Sequence, residues 1–225
     1  MTTTAPPASA PPRWRTAADL VRELGDIPLD RILVTPPPGT ATEADLLRKV
    51  EVDKQLCELV AGTLVEKPVG LYESQVAAML LVILHEFVAP RQLGALSGEA
   101  GTLRLAPGTV RLPDVAFISF ERFGGKPPSE PIPSIAPDLA VEVLSESNTK
   151  KEIEKKVKEY LNSGTRLIWI IDPVTRSAVV HRPSAVPQQV APDGVLDGAD
   201  VLPGFALALV DLFRRVDAQF KGPGK

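Results

Sequence analysis

The sequence predicts an α/β or α+β domain in which helices flank a mixed β-sheet. An apolar segment over 139–144, an amphipathic helix over 150–163 and an apolar segment over 166–171 have the pattern of a strand–helix–strand crossover. Gly164 is placed to close the helix. Short β-like runs separated by glycine turns precede this unit, as expected for antiparallel strands. Together these observations favour one mixed sheet with helices packed against it.

The chain divides into four parts by composition. Residues 1–14 are rich in Thr, Ala and Pro, offer little to bury, and are predicted to be a disordered tail. Residues 15–40 are predicted to form an N-terminal extension. Residues 41–215 are predicted to form the main domain, and 216–225 a flexible tail.

The first predicted elements lie in the extension and at the start of the domain. A short helix is expected over 17–24 and an extended piece over 31–34, before three consecutive prolines. Thr42 is a candidate N-cap, with Asp45 three residues later, and predicts a helix that begins there. The residues over 57–66 predict a hairpin with its turn at Ala61-Gly62.

A long apolar helix is predicted over 73–89, ending before Pro90. The pair His85-Glu86 interrupts its apolar run, which we interpret as too short to span a bilayer and as a buried helix. A Gly- and Pro-rich loop is expected over 124–134, and a short amphipathic segment over 207–213. Strand-like runs occupy four further segments: 94–97, 102–105, 111–119 and 178–181.

Composition narrows the class of protein. With 225 residues, of which 44% are hydrophobic, the chain can bury a sizeable core. The formal net charge of −3 argues against a globally basic, nucleic-acid-binding surface, so any contact with a polyanion must come from a local patch. A single cysteine, Cys57, excludes an intramolecular disulfide and a Cys-rich zinc site. Because the first residues lack a cationic, apolar signal segment, we expect a cytoplasmic protein with no membrane partner.

Two acids stand within apolar, strand-like runs. Asp114 lies in the run over 111–119, and Glu142 lies in the run over 139–144. Burying such acids is costly unless a cation compensates them, and a bound Mg²⁺ or Mn²⁺ is one such cation. Alternation places Asp138 on the same strand face as Glu142, as a candidate supporting acid. Exposed or salt-bridged acids at strand ends are the alternative interpretation.

The order of an acid strand, a second acid strand, a lysine-bearing helix and an apolar strand resembles the PD-(D/E)XK nuclease superfamily. Within it, the chain is most similar to the Uma-two family of bacterial restriction-endonuclease-like proteins. The resemblance extends over about residues 40–213. The segments that carry it are 58–66, 111–117, 137–145, Lys156 with Tyr160, Gly164, 169–173 and 202–205.

The resemblance implies a restriction-endonuclease-like fold and a metal site. Asp114 would be the first metal-binding acid and Glu142 the second. The usual lysine stands two residues after the second acid, but this chain has Leu144 there, and the resemblance points instead to Lys156 on the following helix. Lys155 is the adjacent candidate, but it lies about 100° round the helix, so only one of the two should face the metal.

The resemblance also suggests supporting residues. Glu73, at the start of the long helix, would add a further catalytic acid, although a charge that complements the helix dipole is the simpler interpretation. Tyr160 would support the site from a second layer, and Lys126 and Arg122 would contact the DNA backbone. For Lys156, the alternative is a solvated ion pair with Glu152 at position i−4.

The function implied is a Mg²⁺- or Mn²⁺-dependent endonuclease that hydrolyses DNA phosphodiester bonds. Because two active sites are needed to cut both strands, a homodimer is expected. The alternative is a non-catalytic dimerisation or nucleic-acid-binding module that retains the nuclease fold. The leucine at position 144 and the slightly acidic charge balance favour this alternative.

Overall fold

The computed structural model of the protein describes residues 14–68 and 70–221, and it confirms the mixed α/β class. Its strands form a six-stranded, a four-stranded and a two-stranded sheet. The helices are α1 (Ala17–Leu24), α2 (Glu43–Glu51), α3 (Leu71–Arg91), α4 (Phe120–Phe123), α5 (Lys150–Ser163) and α6 (Leu209–Ala218). The strands are β1 (Cys57–Val60), β2 (Thr63–Glu66), β3 (Gly94–Gly98), β4 (Leu103–Ala106), β5 (Thr109–Arg111), β6 (Val115–Ser119), β7 (Leu139–Val143), β8 (Leu167–Asp172), β9 (Ser177–His181), β10 (Gln188–Val190), β11 (Val195–Asp197) and β12 (Ala206–Ala208).

The six-stranded sheet has the order β10-β9-β8-β7-β6-β3. The pair β7 and β8 is parallel, and every other neighbouring pair in this sheet is antiparallel. Because parallel neighbours need a crossover, α5 connects the ends of β7 and β8, as the sequence predicted. The four-stranded sheet, β2-β1-β5-β4, is antiparallel and contains the predicted hairpin of β1 and β2.

The two faces of the six-stranded sheet are covered by different helices. On one face, Val141 of β7 packs in the main core with residues of α3 and α6, such as Leu80 and Leu212. On the other face, Ala140 packs in a separate cluster with Tyr160 of α5. Successive strand residues point to opposite faces, so Glu142, two residues after Ala140, faces α5. Because of this alternation, β7 presents the Glu142 carboxylate on the face of the sheet that α5 covers.

Helix ends follow the capping residues in the sequence. The Thr16 and Thr42 hydroxyls each accept a hydrogen bond from the amide three residues later, and the Asp19 and Asp45 carboxylates each accept one from the amide of the capping threonine. At the other end, Gly164 adopts a left-handed conformation with φ of 97°, which closes α5. The helix boundaries predicted at these caps are confirmed.

Two of the predicted strand-like segments differ from the structure. The extended piece predicted over 31–34 is a 3₁₀ turn, Leu29–Arg31, followed by an isolated bridge from Ile32 to Val65. The single strand predicted over 111–119 is two strands, because Pro113 cannot donate to the ladder, and Asp114 lies in the connection between β5 and β6.

The predicted boundaries near the C-terminus also differ from the structure. Helix α6 extends to Ala218 with Val216 buried, so the tail predicted from 216 begins too early. The amphipathic segment predicted over 207–213 is divided between β12, which ends at Ala208, and the first residues of α6. The tail predicted over 1–14 lies outside the described residues except for Trp14, whose indole donates to Glu23 Oε2 at 2.7 Å.

Helix α3 is longer than predicted, since it runs from Leu71 to Arg91 and includes Pro90. Pro90 removes only one amide near the helix end, and Gln92 closes the helix in a left-handed conformation after it. By length and hydropathy α3 could cross a bilayer, so the prediction that this segment is too short to span one is wrong. Its buried residues Leu80 and Leu84 instead pack in the main core, which makes α3 a core helix of this domain.

The N-terminal extension is fastened to the start of α5. The Arg31 guanidinium forms two hydrogen bonds with the Glu152 carboxylate, at 2.7 and 2.9 Å, and both residues are buried. Gly25 lies against the backbone of Glu152, so that a Cβ at position 25 would be only 2.7 Å from Glu152 Cα. The Thr149 hydroxyl, which caps α5, donates to the Gly25 carbonyl. The extension is thus part of the support for this helix.

We expect Arg31→Met to lower the free energy of unfolding by about 3–5 kcal/mol, because it leaves the buried Glu152 carboxylate without its charged partner. Urea unfolding followed by circular dichroism measures this change. The matched control is Arg22→Met, which removes an exposed ion pair with Asp19 and should cost less than about 1 kcal/mol. Equal stability of the two variants would contradict this role of Arg31.

Candidate active site

Asp114 is held beside the C-terminal end of β7. Its amide donates to the Val141 carbonyl at 3.0 Å, and its Oδ2 accepts a hydrogen bond from the Val143 amide at 2.6 Å. The first bond continues the backbone contact between β6 and β7, and the second ties the Asp114 side chain to the end of β7. The backbone therefore places the Asp114 carboxylate next to Glu142, although 27 residues separate the two acids.

Glu142 is buried between β7 and α5. Its Oε1 accepts a hydrogen bond from the Tyr160 hydroxyl at 2.7 Å, and its Oε2 lies 3.0 Å from Lys156 Nζ. Lys156 and Tyr160 are four residues apart on α5, so both side chains point from the same helix face towards the strand. The structure thus brings together Asp114, Glu142, Lys156 and Tyr160, as the sequence predicted.

Lys156 rather than Lys155 faces the acids. Lys156 is 2% exposed, and its ammonium lies 3.1 Å from Glu58 Oε1 as well as 3.0 Å from Glu142 Oε2. Lys155 points outward and pairs with Glu159. Lys156 does not form the solvated ion pair with Glu152 that was the alternative interpretation, because the Glu152 carboxylate is bound to Arg31. The tertiary structure therefore makes Lys156 a bridge between two buried carboxylates.

Glu58 belongs to the site, although sequence reasoning did not select it. It lies on β1 in the four-stranded sheet and is 1% exposed. Its Oε2 lies 2.6 Å from the guanidinium of Arg111, which also pairs with Glu159 at 2.6 Å. The Leu112 amide donates to Glu58 Oε1 at 3.2 Å. The sequence pattern that could have identified Glu58 is the one that selected Asp114 and Glu142, an acid within an apolar, strand-like run.

Lys67 is the second residue that the sequence analysis missed. It follows β2 directly, and its ammonium lies 2.8 Å from Asp114 Oδ1 and donates to the Leu112 carbonyl at 2.7 Å. The residue is 5% exposed. A lysine immediately after a buried strand is a weak signal in the sequence, because most lysines in such positions reach solvent.

A small pocket opens onto these groups. Asp114, Glu142, Lys156 and Lys67 line it together with Glu73. Its remaining lining residues are Pro68, Gly70, Ser74, Glu99, Val143, Ser145 and Asn148.

Glu73 reaches the pocket but also serves its own helix. It is the third residue of α3, and its carboxylate folds back so closely that a Cβ on Gly70 would lie 1.9 Å from its Oε2. Only glycine fits at position 70 with this carboxylate in place. A negative charge here complements the positive end of the helix dipole. The structure therefore supports the simpler interpretation and also leaves Glu73 on the wall of the pocket.

Asp138 and Arg122 form a separate, structural cluster. Asp138 Oδ1 is bound by the guanidinium groups of Arg122 at 2.8 Å and Arg166 at 3.0 Å, and Oδ2 accepts from the Ser119 amide. Asp138 lies four residues before Glu142, or about 13 Å along a strand, so the prediction that it supports the site is wrong. Arg122 also donates to the Gly164 carbonyl, so that three of its N–H groups are bound by the protein, and its contact with a DNA backbone stays a prediction.

Lys126 is exposed in the loop after α4. Of the residues that the structure describes, those that line the pocket include neither Lys126 nor Arg122. The contact of Lys126 with a DNA backbone stays a prediction.

The charges of the site depend on one another. Burial acts to raise the pKa of Glu58, but Lys156 and Arg111 outweigh it and lower this pKa from 4.5 to about 2. Burial also raises the pKa of Glu142, and although Lys156 opposes this, the Asp114 and Glu58 carboxylates add to it. The two acids differ because Glu58 has Arg111 as a second cation. Glu142 therefore carries the less well compensated negative charge.

Burial and the neighbouring carboxylates also shift the pKa values of Lys156 and Tyr160, the two site residues on α5. Burial acts to lower the pKa of Lys156, but Glu142 and Glu58 outweigh it and raise this pKa, so the amine is an ammonium at neutral pH. Burial raises the pKa of Tyr160 well above its ordinary value, and the Glu142 carboxylate adds to this effect. Tyr160 thus stays protonated and acts as a hydrogen-bond donor.

The donor set fits a divalent ion that is completed by water and substrate. Among residues 14–68 and 70–221, no group of three or more His, Cys, Asp or Glu side chains could hold a metal ion. Mg²⁺ is commonly bound by one or two carboxylates together with waters and substrate phosphates, so Asp114 and Glu142 suffice for such a site. The raised pKa of Glu142, caused by burial and by nearby carboxylates, is what a cation would relieve. The residues do not fit an all-protein metal cage.

Comparison with known proteins identifies the family. The sequence profile of Uma2, described as putative restriction endonuclease, matches residues 44–210. The chain belongs to this family. The Uma2 match contains Asp114, Glu142 and Lys156 and agrees with the resemblance seen in the sequence. No curated protein matches the chain.

A solved structure shows that the fold is shared. The chain is similar to a crystal structure of a putative nuclease belonging to DUF820 from Anabaena variabilis, with a TM-score of 0.64 and 21% sequence identity. The similarity covers 72% of this chain and 92% of that chain. The restriction-endonuclease-like architecture expected for a Uma2 protein is therefore confirmed at the level of the fold.

The pKa of Glu58 predicts a pH-dependent contribution to stability. Because its pKa is lowered to about 2 from 4.5 by Lys156 and Arg111, its contribution is present above pH 4.5 and is lost as the pH falls towards 2. We expect Glu58→Gln to lower the free energy of unfolding at pH 7 by about 3–5 kcal/mol, since two buried cations lose a shared partner. Urea unfolding of both proteins between pH 7 and about pH 3 should show this difference shrink with acid.

The matched control for this series is Glu154→Gln. Glu154 is an exposed residue of α5 whose nearest cation, Lys150, lies 3.9 Å away. Its replacement should cost less than about 1 kcal/mol at every pH. A stability difference for Glu58→Gln that did not change with pH would show that Glu58 is not an ionised partner of Lys156.

Proposed function

We propose that this Uma2 protein is a Mg²⁺- or Mn²⁺-dependent endonuclease that hydrolyses phosphodiester bonds of DNA. The observation that carries the proposal is the convergence of two carboxylates and a lysine on one pocket: Asp114, Glu142 and Lys156. They come from the connection just before β6, the end of β7 and helix α5. Membership of a family of restriction-endonuclease-like proteins supports the nuclease assignment.

The roles follow from the contacts of each residue. Asp114 and Glu142 would hold the ion, which supplies Lewis-acid stabilisation of the phosphoryl group. Val143 fixes the Asp114 carboxylate through its amide, and Tyr160 fixes that of Glu142 through its hydroxyl. Both acids therefore present a fixed edge to the pocket, and little reorganisation is needed when charge develops on the phosphate.

Lys156 would supply positive charge to the substrate phosphate. Its ammonium is already at Glu142 Oε2 and stays charged at neutral pH, because the neighbouring carboxylates raise its pKa. A lysine two residues after Glu142 would reach the same region from the strand. Here the side chain reaches it from the helix that crosses behind β7, so Leu144 is free to pack in the cluster of Tyr160.

We expect Asp114→Asn to reduce Mg²⁺-dependent cleavage of plasmid and oligonucleotide DNA by at least roughly a hundredfold, because the metal-holding charge is removed. The asparagine oxygen can still accept from the Val143 amide, so the fold should persist. Cleavage is measured by gel electrophoresis with Mg²⁺, with Mn²⁺ and with a chelator.

The control for cleavage is Asp53→Asn, which removes an exposed carboxylate paired with Lys49 and should leave activity unchanged. Unaltered cleavage by Asp114→Asn would overturn the assignment. If the unmodified protein neither cleaves DNA nor is stabilised thermally by either ion, the second candidate is favoured, a non-catalytic module with the nuclease fold. The observation for that candidate is that all four oxygens of Asp114 and Glu142 already have protein partners.

We propose further that the protein acts as a homodimer, since each chain provides one site and cutting both strands needs two. Helix α3 supports this, because the residues that it exposes over its first three turns are apolar: Leu71, Ala78 and Val82. Leu71 is 75% exposed and Val82 is 50% exposed. Exposed apolar residues grouped on one helix face are the kind of surface that a second chain covers.

Sedimentation velocity should therefore give twice the 24.1 kDa mass of the chain. Val82→Glu should shift the protein to the monomer, because it places a charge in the apolar face of α3. Val186→Glu, at an 88% exposed position between β9 and β10, is the control and should leave the mass unchanged. A monomer for the unmodified protein, or an unchanged dimer for Val82→Glu, would contradict this use of α3.

A further inference from the structure

Lys67 is fixed in the site by the protein backbone. Its ammonium donates to the Leu112 carbonyl at 2.7 Å and to the Glu99 carbonyl at 3.4 Å, besides its contact with Asp114 Oδ1 at 2.8 Å. An ammonium has three N–H donors, so these three oxygens satisfy it completely. Its position therefore depends on the loops that carry the two carbonyls as well as on Asp114.

Two lysines balance the two acids before any metal binds. Asp114 is paired with Lys67, and Glu142 is paired with Lys156. All four residues line the same pocket. A divalent ion that enters the pocket therefore meets two fixed ammonium groups, in surroundings where charges interact more strongly than in water.

The function proposed above uses Lys156 but gives no task to Lys67. Lys67 contacts Asp114 at Oδ1, the oxygen that the backbone leaves free, because Oδ2 is already engaged by the Val143 amide. A metal ion that binds Asp114 at Oδ1 would therefore meet the Lys67 ammonium.

We propose that Lys67 is a built-in cation that holds Asp114 while the site is free and weakens the binding of divalent ions in the absence of substrate. A substrate phosphate brings negative charge and further oxygen ligands, and both favour entry of the ion. The site would then fill with metal and DNA together rather than with metal alone. This inference rests on the proposed function, because it assumes that Asp114 and Glu142 hold the metal.

The test is titration calorimetry with Mg²⁺ and with Mn²⁺, without DNA, on the unmodified protein and on Lys67→Met. Removal of the positive charge should tighten binding by at least roughly tenfold. Lys49→Met is the matched control. Lys49 lies on α2 and pairs with Asp53, so this variant makes the same change of net charge away from the site and should leave the affinity unchanged. If Lys67→Met does not fold, Lys67→Gln removes the same charge and keeps an N–H donor for the carbonyls.

Thermal unfolding without metal gives a second measurement. Lys67→Met should melt at a lower temperature than the unmodified protein, because it leaves Asp114 without its cation. The double variant with Asp114→Asn should recover part of this loss, and it should not be stabilised by either ion. No recovery in the double variant would show that Lys67 acts on the fold through its two carbonyl contacts and not through Asp114.

A third measurement adds a short DNA duplex with phosphorothioate linkages, which resist hydrolysis. The duplex should increase the Mn²⁺ affinity of the unmodified protein more than that of Lys67→Met. Equal or weaker metal binding by Lys67→Met, with binding by the unmodified protein intact, would overturn the inference and leave the proposed function standing. Failure of both proteins to bind either ion, with and without the duplex, would overturn the proposed function itself.

Discussion

The structure of the site depends on the ammonium of Lys156, which lies between carboxylates from two sheets. Glu58 comes from the four-stranded sheet and Glu142 from the six-stranded sheet, and both lie within 3.1 Å of Lys156 Nζ. Buried ion pairs are costly to desolvate and are tolerated only with good geometry and further hydrogen bonds. Arg111, Tyr160 and the Leu112 amide provide them. The same group that would neutralise a substrate phosphate therefore also joins the two sheets.

Helix α5 carries this ammonium, and most of the surrounding protein fixes its position. Its first turn is bound by the N-terminal extension through Arg31 and Glu152, one helical turn before Lys156. Its last turn is closed at Gly164, whose carbonyl is held by Arg122. Along its length it packs on the six-stranded sheet through Val157 and Tyr160. A site made from side chains on such supported elements is held more precisely than one made from loops.

Two acids on strand β7 and directly before it, Glu142 and Asp138, have different partners and different roles. Asp138 directly precedes this strand and Glu142 lies near its C-terminal end; both face the same side, and both are buried. Asp138 meets two arginines and the Ser119 amide, so its charge is fully compensated and the group is structural. Glu142 meets one lysine, one tyrosine and the neighbouring Asp114, so its charge is compensated less completely. The difference lies in the number of cations at each end of the strand.

The sequence by itself determined what depends on neighbouring residues: the capped helices, the glycine that closes α5, the β7-α5-β8 crossover, and the position of Glu142 within an apolar strand. Periodicity and capping act over a few residues, and so they can be interpreted without the fold. Only the tertiary structure decided that Lys156 pairs with Glu58 and Glu142 rather than Glu152, that Lys67 meets Asp114, and that Arg122 serves Asp138. These contacts join residues on different elements, and their partners are fixed by strand pairing and by the burial of charge.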